Sequence, residues 1–376
     1  SAWDTSTRVN DDTGGANQLV PDVAIGPDGA AISVWWDYRA TPGYDIYSSR
    51  RTPTTGAWGA NQRVNDVATG DQFYPAVAID GSNNAYAVWV DSRNGRRDIY
   101  FSKRSGTTGL WSPNTRVNTD TSFGDQTTPS IAVRPNGAAV AVWYRKVGNN
   151  KYHIYSARLA AGSTTWGPEI KVTSDTSAQK QGPRVTLGSD GTSYAVWMQP
   201  SVGNADVWFA TLGPTASTWS SNVKISDDPG TAYQGQPDIG IDTAGNVTVA
   251  WDDWRATPNQ LRVRRRSSGG AWAASTVIAA DGANFPSVAT RGDGRTYVVW
   301  YDGLNALYPN VWSSSFNPAT GTWSIPEQVD VNGAQDGASS PAVALDVSRV
   351  VVIWQNATRL PSGGNDVDIF GRTRAP

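Results

Sequence analysis

One histidine, two glutamates and no cysteine restrict what chemistry this 376-residue chain can carry. Without cysteine there is no disulfide, thiol nucleophile or thiolate metal site. A glycoside hydrolase needs two carboxylates flanking the scissile bond. Aspartate is abundant, but the two glutamates, Glu169 and Glu327, fall in segments expected at the outside of the fold. The histidine, His153, has Tyr152 beside it and Tyr144 and Arg145 one loop away. A histidine or tyrosine that moves a proton, with an arginine to hold a carboxylate, is a set that a polysaccharide lyase could use. His153, Tyr144 and Arg145 are therefore the catalytic candidates. A lone histidine on a strand is also explained as a surface or core substitution. There is no histidine cluster for zinc or iron. The stretch DVNGAQDG at 330–337 offers Asp330, Asn332 and Asp336 as oxygen ligands. It lacks the closing glutamate of a calcium loop and reads as a turn. No cofactor is expected, a structural calcium ion apart.

A second set of residues suits recognition. Seven segments, NQLVP, DQFYP, DQTTP, QKQGP, YQGQP, ANFP and GASSP, each run into a short apolar strand. They contribute Gln18, Gln72, Gln126 and Gln234, with Phe73, Tyr74, Tyr233 and Phe285 beside them. Seven polar loops further along the repeat contribute Trp36, Tyr38, Arg39, Arg93, Tyr144, Arg145, Trp254, Arg255 and Tyr301. An aromatic face stacks on the apolar face of a pyranose, while amides and guanidinium forks bond its hydroxyls or carboxylates. The binding candidates are thus Trp36, Tyr38, Arg39, Gln72, Phe73, Tyr74, Arg93, Gln126, Tyr144, Arg145, Tyr233, Trp254, Arg255, Phe285 and Tyr301. Asp37, Asp91 and Asp253 each stand two residues before an arginine. That recurrence also fits loop-fixing ion pairs or Asx turns. Departures from the repeat stand out. Arg145 and Lys146 replace an acidic loop, Arg96 and Arg97 extend its neighbour, His153 replaces an aspartate and Lys180 a glutamine. Together they form a basic sector that favours an acidic glycan or an acidic protein loop.

These residues are placed by a repeat. Tryptophan follows valine or alanine at Trp35, Trp89, Trp143, Trp197, Trp251, Trp300 and Trp354. A proline opens a short strand at Pro21, Pro75, Pro129, Pro183, Pro237, Pro286 and Pro341. A second tryptophan series runs Trp3, Trp58, Trp111, Trp166, Trp219, Trp272 and Trp323. These two series read as core. Of the remaining four tryptophans, Trp208 and Trp312 occupy a tyrosine position and read as structural, while Trp36 and Trp254 flank loops. Each period holds four strand-like pieces, illustrated by PDVAI, AAISVWW, YDIYSSR and the piece ending in RVN. Gly with Asp or Asn in GPDGA, RPNGA and GSDGT supplies hairpin turns.

Four antiparallel strands repeated seven times predict an all-β, seven-bladed β-propeller. The expected single domain spans 1–376, with blades near 11–65, 66–118, 119–173, 174–226, 227–279, 280–330 and 331–376. The last repeat stops after three strands. Its missing outer strand carries a tryptophan five residues before Arg-Val-Asn, and residues 1–10 supply that pattern. The N-terminal segment is therefore expected to pair with 368–374 and complete blade seven. Net charge is -2, so no basic field invites nucleic acid. No apolar run approaches the roughly 18 residues of a membrane span. No leader with a charged start and an apolar middle precedes residue 1, so any signal peptide is expected to have been removed already. NVT at 246 and NAT at 356 match the glycosylation pattern.

VWVDSRNGRRDIY at 88–100 resembles repeats of secreted bacterial propellers in the broad sialidase-like group. The turns TPTTGAW, SGTTGLW and NPATGTW look like degenerate Asp-box turns. The likeness spans nearly the whole chain and rests on scaffold features. It implies a propeller and an extracellular setting. The group's catalytic set is an arginine triad, an aspartic acid and a Tyr-Glu pair, and the glutamate of that pair has no candidate here. Propeller lectins with tryptophan-rich repeats are similar in general plan. The sequence is thus read as a monomeric secreted propeller that binds a glycan or a cell-surface protein through its loop rim. An enzyme acting on acidic polysaccharide and a structural domain of a larger surface protein are the alternatives.

Overall fold

A computed structural model describes residues 2–40, 43–120, 124–149, 151–174, 179–201, 204–303, 308–331, 336–359 and 365–376. Asn332 of the calcium-like turn and residue 1 of the N-terminal segment lie outside them. Seven antiparallel sheets follow one another round a ring, and each inner strand packs against the inner strands of its two neighbours. The fold is the seven-bladed β-propeller. Blade one shows the plan, with strands Gln18–Ile25, Ala31–Asp37, Asp45–Arg51 and Gln62–Arg63 from axis to perimeter. Blade six splits its outer strand in two, Thr322–Trp323 and Glu327–Gln328, both paired with Val311–Asn317.

The ring closes through its ends. Thr7–Arg8 pairs antiparallel with Asn365–Arg374, Thr7 opposite Gly371 and Arg8 opposite Phe370. Val9 N donates to Ile369 O at 2.7 Å and Asp4 N to Thr373 O at 2.9 Å. An open propeller would leave the edge of that third strand unpaired, a template for aggregation. Here it is covered by the start of the same chain.

The core lies between blades. All seven inner-series tryptophans are fully buried. Most of the second series is half-buried at the outer seams; only Trp166 and Trp219 are fully enclosed. Each nevertheless packs against a buried cluster: Trp3, for example, joins Val329, Val352 and Trp354. Truncating one buried tryptophan to alanine typically costs about 3–5 kcal/mol.

A second sevenfold feature was not foreseen. Every inner strand carries a bulge where its ladder skips, as between Leu19 and Asp22 or Phe73 and Ala76. At each bulge the residue just before the repeated proline is left-handed. These are Val20, Tyr74, Thr128, Gly182, Gln236, Phe285 and Ser340, with φ between 47° and 57°. For any residue but glycine this conformation costs on the order of 1 kcal/mol or more, and most for β-branched side chains.

Candidate functional site

The two loop sets meet on one rim. In blades one, two, three and five the N–H at or just past the end of the second strand donates to the residue leading into the inner strand: Tyr38 N to Asn17 O, Ser92 N to Asp71 O, Lys146 N to Asp125 O and Trp254 N to Tyr233 O. This rim surrounds the axial mouth and gathers most of the residues singled out above.

Three of its arginines serve the fold. Asp37, Asp91 and Asp253 are buried, and each accepts the indole Nε1 of the tryptophan two residues before it, at 2.9–3.0 Å. Each also takes the backbone N–H and guanidinium of the arginine two residues after it. Arg39, Arg93 and Arg255 reach on to Asp11, Asp66 and Asp227 at 2.7–2.9 Å. Arg39 and Arg93 also lie over the rings of Tyr47 and Tyr100. The guanidinium groups of these three binding candidates are engaged by loop and seam.

Arg145 and His153, two basic departures of blade three, are likewise engaged by the protein. Arg145 occupies the position of the buried aspartate, yet its guanidinium lies 3.6 Å from the Tyr155 ring centroid, the place that Arg39 and Arg93 fill in their own blades. Its charge is met by Glu169 at 2.8 Å and Asp120 at 3.2 Å. Glu169 also accepts the backbone N–H of Thr119 and Asp120, as Asn61 does for Asp11. With the aspartate gone, Trp143 Nε1 turns to Gln126 Oε1 at 2.8 Å. His153 is buried, with its Nδ1 3.3 Å from Thr173 Oγ1. The His–Thr pair stands where Asp98 and Asn118 pair in blade two. His153 and Arg145 are thus tied into the sheet and its seam, and Lys180 is buried as well. Tyr144 is half-buried against Tyr152. Among the described residues of this sector, Arg97, Lys146 and Lys151 carry charge that stays exposed.

Gln72 and Gln126 are engaged as well. Both are fully buried. Gln72 Nε2 donates to Thr69 O and Gly70 O, and Gln126 Nε2 to Gly124 O. They hold the approach to each inner strand and present nothing to a ligand.

The aromatic candidates behave differently. Among the described residues, every large aromatic more than a third exposed lies on this rim: Tyr38 at 41%, Tyr74 at 36%, Trp254 at 46% and Phe285 at 46%. They form two platforms. On blades one and two, Trp36 packs on Tyr44, Phe73 and Tyr74 with centroids 4.6–5.8 Å apart, and Tyr38 lies on Tyr44. Arg97 covers the Phe73 ring. On blades five and six, Phe285 stacks on Tyr301 at 5.8 Å and Trp254 meets Tyr233 edge-on.

Beneath the second platform lies a carboxyl that the sequence reading missed. Asp252 is 3% exposed and accepts the Phe285 backbone N–H at 3.0 Å. Burial holds its pKa well above the usual carboxylate range, against that one hydrogen bond. Burial, with the Asp252 charge second, raises the phenols of Tyr233 and Tyr301 in turn. The signal was present in the repeat: the matching position holds Trp36, Val90, Tyr144, Met198 and Tyr301 in five other blades, and Gln355 in blade seven, whose side chain accepts Val20 N at 2.9 Å in the same way, so the aspartate is the charged departure from a mostly apolar pattern.

Deeper in the axis, Asp22, Arg184 and Asp238 each follow a repeated proline. Arg184 Nε lies 3.8 Å from Asp238 Oδ1. Asp22 accepts Val77 N across the seam at 2.8 Å, and Asp238 accepts Val288 N at 2.6 Å. Crowding by protein pushes Asp22 up to about 6, opposed by its backbone hydrogen bonds and by Arg184 and reinforced by Asp238. Among the described residues no group of histidine and carboxylate side chains is placed to hold a metal ion.

No family model and no curated protein matches this chain. Solved structures share the fold. An ulvan lyase described as a polysaccharide lyase, bound to -[GlcA(1-4)Rha3S]-, superposes with a TM-score of 0.65 at 11% identity, covering 96% of this chain and 94% of that one. A Penicillium chrysogenum alpha-L-arabinanase complexed with arabinobiose gives 0.56 at 12% identity, covering 100% and 99%. A Hadza microbial sialidase gives 0.55 at 12% identity, covering 91% and 76%. At such identities the likeness is one of architecture.

Proposed function

We propose that this propeller binds a glycan on its loop rim. The observation that carries the reading is the segregation of exposed aromatic faces to the two platforms beside the axial mouth. Elsewhere among the described residues the exposed large apolar side chains are aliphatic, as at Leu110, Ile325 and Val347. A flat aromatic face fixed by its neighbours offers stacking area at little entropic cost, which suits the apolar face of a sugar ring. That the structural neighbours include a polysaccharide lyase, an arabinanase and a sialidase supports the same direction. Retention of a soluble polysaccharide panel in affinity electrophoresis tests it. Tyr38→Ala and Trp254→Ala are expected to weaken the strongest interaction by about tenfold each, the scale of one lost aromatic contact. Binding unchanged in both variants removes the rim as the site.

Asp252 favours a second reading, cleavage of the bound glycan. A carboxyl whose pKa is raised by burial among aromatic rings holds its proton to higher pH than an ordinary aspartate, which suits it to donate that proton. In hydrolysis its proton would pass to the leaving glycosidic oxygen as the C–O bond breaks. Water would then add to the sugar carbon and return a proton to the carboxylate. Under this reading, reducing ends accumulate when wild-type protein is incubated with the bound polysaccharide, and Asp252→Asn abolishes their release. A wild-type protein that binds without releasing ends is a binder alone.

A further inference from the structure

The left-handed residues ahead of the seven prolines are not explained by folding. The chain uses glycine where it needs a left-handed turn on the opposite rim, as at Gly29 and Gly191, and asparagine at Asn83. At the seven positions just before the prolines it had the same option and took it once, at Gly182. The other six blades keep a side chain on a backbone that penalises it, including β-branched Val20 and Thr128. What varies from blade to blade is the side chain alone. Two of them, Tyr74 and Phe285, are aromatic, exposed and three blades apart by the shorter way, on opposite sides of the mouth. Both are held in place: Tyr74 by Trp36 and Phe73, Phe285 by Tyr301 and by the Asp252 bond to its own N–H. Thr128, Gln236 and Ser340 place a hydroxyl or an amide at other points of the same ring.

We infer that these seven positions form the specificity-determining ring of the mouth, with Tyr74 and Phe285 as opposed anchors for a sugar ring and Thr128, Gln236 and Ser340 as partners for its hydroxyls. The inference rests on the glycan reading. It goes further by naming which rim residues discriminate among sugars. Two arms of one experiment test it. In the first, Val20→Gly and Thr128→Gly are melted beside the wild type. The expected result is an unchanged or higher Tm, because glycine accepts the left-handed backbone; a clear drop for both means that the fold itself requires these side chains and overturns the ring. In the second, Tyr74→Gly and Phe285→Gly are titrated calorimetrically against the polysaccharide that wild type retains most, from a panel of xylan, arabinan, pectate, alginate and chondroitin sulfate. Each is expected to lose at least tenfold in affinity while remaining folded by circular dichroism. Wild-type affinity in both variants overturns the ring and leaves the glycan reading standing. A wild-type protein that binds none of the panel overturns the glycan reading, and the sugar assigned to the ring with it.

Discussion

Asp252 shows how a single side chain can be legible only after its surroundings are known. In the sequence it is one aspartate among many, next to Asp253, which has a clear repeat role. The structure separates the two. Asp253 is buried but ringed by donors from Trp251 and Arg255. Asp252 is buried with one backbone donor and aromatic neighbours. Its folded pKa is raised, so the native state holds a proton that the unfolded chain has released once pH passes about 4. Stability is therefore full below that pH and declines as pH rises toward the folded pKa. Asp252→Asn keeps an acceptor for Phe285 N and has no charge to bury. Its Tm is expected to match wild type near pH 4 and to exceed it by a few degrees at pH 8, measured by thermal melts across that range. A constant difference between the two curves contradicts the assigned protonation.

At the scale of strands and loops, the repeat explains why most of the scaffold was readable and much of the site was not. Tryptophan, proline and turn glycine recur because packing and hairpin geometry impose them blade after blade. Their spacing therefore reported the strands and the number of blades. Rim arginines and glutamines recur for the same kind of reason, and composition cannot tell a donor spent on a seam from one offered to a ligand. Arg145 makes the point most sharply. As a break in the repeat it suggested function, yet the guanidinium was moved, not added: it comes from two positions earlier in the chain and finds Glu169 in place of an asparagine. That exchange is coupled through space, across a seam that one-dimensional reading does not see. It predicts that Glu169→Gln and Arg145→Ala each destabilise the protein by about 1–3 kcal/mol, since each breaks a partly buried ion pair and leaves Arg145 only Asp120, or Glu169 only the Thr119 and Asp120 N–H groups. Chemical denaturation measures this. Arg145→Ala should leave glycan binding intact, because the aromatic platforms lie on other loops. A loss of binding at unchanged stability would return Arg145 to the site.

Around the whole ring, stability depends on a closure that no covalent bond secures. The segment ahead of blade one is short, but its contacts are dense. Asn10 Oδ1 accepts Ile369 N at 2.8 Å and its amide donates to Gln18 and Asp368, so one side chain ties blade seven to blade one. Asp4 takes the Thr373 N–H and hydroxyl, while Arg374 lies over the Trp3 ring. Every other blade makes its outer strand from the residues that follow its third strand, so only blade seven can be opened without disturbing a neighbour's chain path. Trp3→Ala is expected to cost about 2–3 kcal/mol, below the fully buried range because the ring is half-buried. Removing residues 1–8 should cost more, because it exposes the edge of Asn365–Arg374 as well. Hydrogen exchange locates the effect. In the truncated protein the amides of 367–373 that face the lost strand should exchange fastest, with protection falling off through blades one and six and least change in blades three and four. Uniform loss of protection round the ring would mean that the propeller unfolds as one cooperative unit once the clasp is gone. Unchanged protection at 367–373 would mean that the clasp is not what holds the ring shut.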